Sequence, residues 1–170
     1  MNLSLANLIS AALELKPMPG VLRGLFKAIL QSGTSWDDTL SDWVKLDPVL
    51  VLQVLRQANS HQLGRPGQVA SLKTLSEIMD PGLLMDILLA QSYGLEKSMR
   101  GDSRTSFNQL SFWKHSLACA RFCRMLAILT EFRDHSLAYL AGLLHDFVKP
   151  ALYQSHPECY RDILETLRSQ

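Results

Sequence analysis

The stretch that most constrains this chain is Leu137-Ala138-Tyr139-Leu140-Ala141-Gly142-Leu143-Leu144, an apolar run rich in small residues that breaks off at His145-Asp146. Lys149-Pro150 follows almost at once. The run is too short to cross a membrane and lacks the alternation of a half-buried strand, so it predicts a buried helix. Pro150 disfavours helical dihedrals at Lys149, which places the expected helix end near Asp146 or just after it. Two polar, metal-competent side chains are therefore expected where a core helix stops, and a buried carboxylate there needs a partner.

Upstream, Phe112-Trp113-Lys114-His115-Ser116-Leu117 sets another histidine inside a second apolar, helix-periodic segment. Imidazole nitrogens and a carboxylate oxygen suit divalent transition metals, which makes His115, His145 and Asp146 the candidate metal ligands. The plain alternative is that both histidines bond to backbone in the core while Asp146 sits at a helix end. His115, Cys119 and Cys123 also recur at i, i+4 and i+8, along one helix face. A zinc site on that face is one option, but neighbouring Phe112, Phe122 and Leu126 favour packing, and the cysteines read as core residues.

At 170 residues the chain is long enough to bury the core of about one domain. Seventeen basic against sixteen acidic residues leave a charge of +1. With no basic run to track a phosphate backbone, no nucleic-acid partner is expected. Three cysteines, two of them in an apolar helical segment, point to a reducing compartment. The apolar Met1–Leu15 segment lacks basic residues at its front, carries Glu14 and offers no small-x-small cleavage site before Pro17. It reads as an amphipathic first helix, not a secretion signal. No stretch reaches transmembrane length, so a cytoplasmic protein with no membrane partner is expected.

In chain order every element reads as helix. Leu5, Leu8, Ile9, Ala12 and Leu13 follow helical spacing until Pro17-Met18-Pro19-Gly20. A second helix is expected from about Val21 to Gln31, ended by Ser32-Gly33. Ser35 is the expected cap of a short helix carrying Trp36, Leu40 and Trp43. Asp47-Pro48 is a start signal, an N-cap carboxylate followed by proline at the first helical position, for a helix through Ala58 closed by Asn59-Ser60. Gly64-Arg65-Pro66-Gly67 marks a loop. Ser71 caps a helix through Met79, and Asp80-Pro81 opens another reaching about Tyr93. Residues 98–106 are the most polar stretch and the expected internal linker. A long helix from about Asn108 to Leu129 carries His115, and Asp134 or Ser136 begins the helix ending in His145-Asp146. A turn is expected over Ala151–Gln154, and Pro157 opens a last helix through Leu167. No glycine-rich phosphate loop and no fixed-period repeat occurs.

A histidine on one helix and a His-Asp pair ending the next resemble the front half of the HD superfamily of metal-dependent phosphohydrolases. The order of Pro17-Met18-Pro19, Leu46-Asp47-Pro48 with its helix ending Ala58-Asn59-Ser60, Val69-Ala70-Ser71-Leu72, Trp113-Lys114-His115-Ser116 and Ala141-Gly142-Leu143-Leu144-His145-Asp146 narrows the match. It resembles an HDOD domain, the HD-related output domain of bacterial signalling proteins, from about Leu15 to Tyr153. The resemblance implies an all-α fold, an N-terminal helical bundle joined to part of an HD-type lobe. The expected division is an N-terminal lobe over 1–97, a linker over 98–107 and a partial HD-like lobe over 108–170. By position, His115 matches the first HD ligand, His145 and Asp146 the paired ligands, and Lys149 the lysine that often follows; Asn59 belongs to the mid-chain motif.

The chain departs from the family pattern at three places. Val148 replaces a usual glycine between the His-Asp pair and the lysine, and a β-branched residue cannot cheaply take left-handed dihedrals, so the site backbone is expected to be reshaped or the site filled. Met79-Asp80 replaces a usual apolar-Gly pair. The chain stops at Gln170, before the later carboxylate of a working HD site, and Asp162 lies too close to match it; the expectation is a truncated or shortened second lobe. HD enzymes that cleave cyclic dinucleotides commonly use further histidines, and His61, His135 and His156 show no matching spacing.

The resemblance therefore implies a non-catalytic regulatory or protein-interaction module in bacterial signal transduction, with a vestigial site and no required cofactor, although a divalent metal is one option. Its partners are expected among bacterial signalling proteins or adjoining domains. The alternatives are a metal-dependent phosphohydrolase or cyclic-dinucleotide phosphodiesterase, and a small-nucleotide sensor. An interaction module predicts exposed apolar or aromatic surface, for which Trp36, Trp43 and Trp113 are candidates although core positions suit them better.

Overall fold

The computed structural model describes residues 4–32, 38–60, 81–92 and 107–169. All regular structure among them is α-helical, with no strand, as the lack of alternation predicts. The order is α1 (Leu5–Glu14), α2 (Pro19–Ser32), α3 (Asp38–Val44), α4 (Pro48–Ala58), α5 (Pro81–Ser92), α6 (Gln109–Leu129), α7 (His135–Leu144), α8 (Val148–Ser155) and α9 (Pro157–Arg168). No helix among the described residues is long and apolar enough to cross a membrane. Ser35, Trp36, His61, the Arg65-Pro66-Gly67 loop, Val69–Leu72, Met79-Asp80 and the 98–106 segment lie outside the described residues.

The Asp47-Pro48 start signal works as the sequence predicts. Asp47 Oδ1 accepts from the backbone N–H of Val49 at 2.8 Å and Leu50 at 3.1 Å, satisfying donors that a helix start leaves open. Its other oxygen, Oδ2, accepts from the Met18 N–H at 2.5 Å, tying the entry of α2 to the start of α4. The residue is fully buried. Burial pushes its carboxyl from the ordinary 3.8 up to about 6, against the pull of three backbone donors and of the Trp113 indole. That indole N–H faces the carboxylate without completing a hydrogen bond of ordinary geometry.

One core runs through the helices: Leu22 and Leu25 of α2, Val44 of α3, Leu50, Val51 and Val54 of α4, Leu84 and Leu88 of α5, Ala120 of α6, and Leu140 and Leu143 of α7. Trp43 packs against its edge, and Trp113 is buried. α1 packs on α8, while Gln53 Nε2 donates to the Leu15 carbonyl at 3.2 Å and Gln109 Nε2 to the Lys16 carbonyl at 3.4 Å. The segment after α1 is thus pinned from both halves of the chain. Phe107 stacks on Tyr153 with ring centroids 5.2 Å apart, and Tyr160 meets both rings edge-on. This aromatic cluster fastens α8 and α9 to the start of α6.

The closest packing joins α6 to α7. A Cβ built on Gly142 lies 2.7 Å from the Cys119 carbonyl oxygen, 2.8 Å from Cys123 Sγ and 2.9 Å from Ala120 Cα. Two of those are backbone atoms that cannot step aside, so only glycine permits this approach. α6 itself ends with the Phe132 N–H on the Ala127 carbonyl at 2.8 Å and the Glu131 N–H on the Ile128 carbonyl at 3.3 Å, with Glu131 at φ 56°. That is the Schellman arrangement, here with glutamate in the left-handed position. Asp134 then caps α7, its Oδ1 accepting from the Leu137 N–H at 2.8 Å.

Two boundaries differ from the sequence-based expectation, both because proline opens a helix here. α7 ends at Leu144, and His145–Phe147 form a turn; the expected turn over Ala151–Gln154 lies within α8. Pro150 sits in the first turn of α8, where an N–H has no intrahelical partner to lose. In the same way α2 starts at Pro19 instead of Val21.

Candidate functional site

His115 and Cys119 stand one turn apart on α6 and so share a face. The close approach through Gly142 brings the C-terminal end of α7 onto that face. His145, at the C-cap of α7, has Nδ1 2.8 Å from the Gly142 carbonyl oxygen. A carbonyl only accepts, so in that bond Nδ1 carries the proton and the neutral ring presents the lone pair of Nε2. That Nε2 lies 3.2 Å from His115 Nε2.

Asp146 follows in the turn and completes the convergence. Its Oδ2 is 3.2 Å from His115 Nε2, 3.4 Å from His145 Nε2 and 2.5 Å from Lys149 Nζ, which donates to it. Partial burial alone raises the Asp146 carboxyl, but the Lys149 ammonium, by hydrogen bond and by charge, and the two imidazoles bring it below the ordinary carboxylate value. Two imidazole nitrogens beside a carboxylate oxygen at these distances call for a positive centre among them, either a shared proton or a metal ion. The candidate ligands His115, His145 and Asp146 are thus brought together at one point, with Lys149 on the carboxylate.

The geometry fits a bound ion. Bonds of ~2.0–2.1 Å to nitrogen or oxygen around a tetrahedral ion set edges of about 3.3 Å between those ligands. The observed separations of 3.2, 3.2 and 3.4 Å match. Cys119 belongs to the same group, since Sγ is 3.6 Å from His115 Nε2 and one donor atom each of His115, Cys119 and His145 all lie within 4.8 Å of one another. Cys119 is half-buried and faces the histidines, not the core. Its i+4 offset from His115 was the available signal; its weight comes from the α6–α7 approach, which no local spacing reveals.

Val148 does not fill the site, contrary to one of the two outcomes expected from its replacing glycine. It occupies the first helical position of α8 with no positive φ, and its side chain is 61% exposed. Asn59 sits at the C-cap of α4 and donates from Nδ2 to the Leu55 carbonyl at 2.8 Å. His135 is exposed at the start of α7, and His156, buried between α8 and α9, meets Ser155 Oγ at 2.9 Å.

A second feature lies between α3 and α6. A cleft of ≈ 710 Å³ is lined by Trp43, Lys45, Arg121, Arg124, Ile128 and Tyr139 among others. Tyr139 Oη donates to the Lys45 carbonyl at 2.9 Å. Burial raises its hydroxyl above the usual value of 10.0, and the guanidiniums of Arg121 and Arg124 partly offset that shift.

An all-helical scaffold that carries a histidine on one helix and a His-Asp pair at the end of the next defines a class of HD-like domains. The HDOD domain family model matches residues 15–170, and the chain belongs to that family. Solved structures share the fold, among them the following two. The MmoQ response regulator from Methylococcus capsulatus str. Bath superposes with a TM-score of 0.68 at 22% identity, over 86% of this chain and 58% of that one. A virulence factor, cj0248, from Campylobacter jejuni subsp. jejuni gives a TM-score of 0.67 at 18% identity, over 96% of this chain and 58% of its own. The chain therefore spans little more than half the length of either. No curated protein matches it.

Proposed function

We propose that the chain is a non-catalytic regulatory module of bacterial signal transduction, cytoplasmic, which acts by binding protein partners on a scaffold inherited from the HD phosphohydrolases. The observation that carries this reading is the apolar face at the C-terminal half of α6. Phe122, Met125, Leu126, Ile128 and Leu129 are all exposed there, Leu129 to 71%, and Phe132 and Leu137, past the helix end, are exposed as well. Contiguous apolar surface on this scale marks interaction sites in water-exposed proteins. Family membership, and the likeness to the response regulator MmoQ, support a regulatory setting.

A photo-crosslinking residue at Phe122 in the full chain, expressed in a bacterial host, tests the reading. The same residue at exposed Gln154 serves as the control. A discrete adduct to a signalling protein from Phe122 alone is the expected outcome. Turnover of cyclic di-GMP or a generic phosphodiester, lost in His145→Ala, overturns the non-catalytic reading in favour of a metal-dependent phosphohydrolase.

The α3–α6 cleft favours one second reading, a sensor for a small anionic ligand such as a nucleotide, because Arg121, Arg124 and Lys45 line it beside the Trp43 and Tyr139 rings. Equilibrium dialysis against a nucleotide panel, with Arg121→Ala and Arg124→Ala in parallel, separates it from the first.

A further inference from the structure

We propose that His115, Cys119, His145 and Asp146 form a closed, four-ligand site for a thiophilic divalent ion of the zinc class, with the Cys119 thiolate supplying the ligand that makes it tetrahedral. The three inherited side chains alone leave an ion with an open position, as hydrolytic sites require. Cys119 changes both the count and the chemistry.

Distances carry the assignment. A tetrahedral ion with a ~2.3 Å bond to sulfur and ~2.0–2.1 Å bonds to nitrogen sets a sulfur–nitrogen edge of about 3.6 Å. Cys119 Sγ lies 3.6 Å from His115 Nε2, and the imidazole and carboxylate edges match in turn at 3.2, 3.2 and 3.4 Å. These are four of the six edges of one tetrahedron, and a donor atom of His145 lies within 4.8 Å of Sγ. The Gly142 carbonyl at 2.8 Å from His145 Nδ1 is the outer partner that fixes the ring and directs Nε2 at the ion. Lys149, on the same carboxylate, offers Asp146 an outer partner of opposite charge.

The donor set selects the ion. A thiolate with two imidazoles favours zinc, cobalt or copper over magnesium and manganese, which prefer all-oxygen shells. Binding releases the thiol proton of Cys119 to solvent, since the thiolate is the ligand. With four protein donors in place no coordination position remains for water, so the ion would stabilise the α6–α7 junction without generating a hydroxide nucleophile. Metal binding here is independent of whether the apolar face of α6 takes a partner.

Titration of the full chain with cobalt(II), followed by absorption, tests this directly. The expected result is saturation at about one equivalent, with the intense visible bands of four-coordinate cobalt and a near-ultraviolet thiolate-to-cobalt band. Cys119→Ser, checked for retained helicity by circular dichroism, should lose the thiolate band and weaken binding by at least the 10–100-fold that loss of an outer partner costs. Cys123→Ser, lacking the thiol one turn further on, should keep both. Weak six-coordinate spectra, a thiolate band that survives Cys119→Ser, or no saturable binding each overturns the proposal.

Discussion

Asp47 shows how much one residue can hold together. It is named in the sequence by a purely local pattern, the carboxylate before Pro48, and that pattern correctly places the start of α4. What the pattern does not contain is the bond to the Met18 N–H or the facing Trp113 indole, because both partners are distant in sequence. Burial raises the folded-state carboxyl to about 6, so the folded chain holds this proton more tightly than the unfolded one. The stability it contributes is fully present below about pH 4, near the unfolded carboxylate value, and is lost as pH rises through 6; the change is on the order of 3 kcal/mol. Asp47→Asn cannot titrate. Relative to the parent, its unfolding free energy should rise by roughly that amount between pH 4 and pH 7 in denaturant melts. A difference that stays constant across that window contradicts the assignment. His115 and Cys119 teach the complementary lesson at the same scale. Their i, i+4 spacing was visible, yet nothing local distinguished a ligand from a core thiol until α7 was packed against them.

At the scale of elements, the α6–α7 junction positions the site. Gly142 lets the helices meet, and the meeting sets His145 against His115. Gly142→Ala puts a methyl group into backbone atoms of α6. It should cost about 1–3 kcal/mol, the usual range for overpacking, and weaken cobalt binding in step. Unchanged urea midpoint and unchanged affinity in that variant would show that the close approach is dispensable. The C-terminus of α6 supplies a second case. Glu131 holds a left-handed φ of 56° that costs an L-residue roughly 1–2 kcal/mol. Glu131→Gly should raise stability by about 0.5–1 kcal/mol after the extra entropy of glycine in the unfolded chain, while Glu131→Ala should not. Thermal melts of the two variants decide it. The same physics explains which boundaries were legible. Caps such as Asp47, Asn108 and Asp134 announce themselves through side chains that reach only two or three residues. Pro19 and Pro150 misled because proline stops one helix or starts the next, and only the surrounding packing shows which.

At the scale of the whole molecule, apolar periodicity without alternation was enough to give an all-helical fold, and the order of short motifs was enough to give the HDOD family. The single core that threads α2 to α7, and the docking of α1 on α8, arise from contacts between distant segments that periodicity cannot pair. The site of this HDOD scaffold is proposed to hold an ion instead of using it. Zinc-edge X-ray absorption of the full, zinc-loaded chain tests that claim most directly. It predicts a four-coordinate shell with a single sulfur at ~2.3 Å and three nitrogen or oxygen ligands at ~2.0–2.1 Å. A five- or six-coordinate shell of light atoms with no sulfur contradicts it.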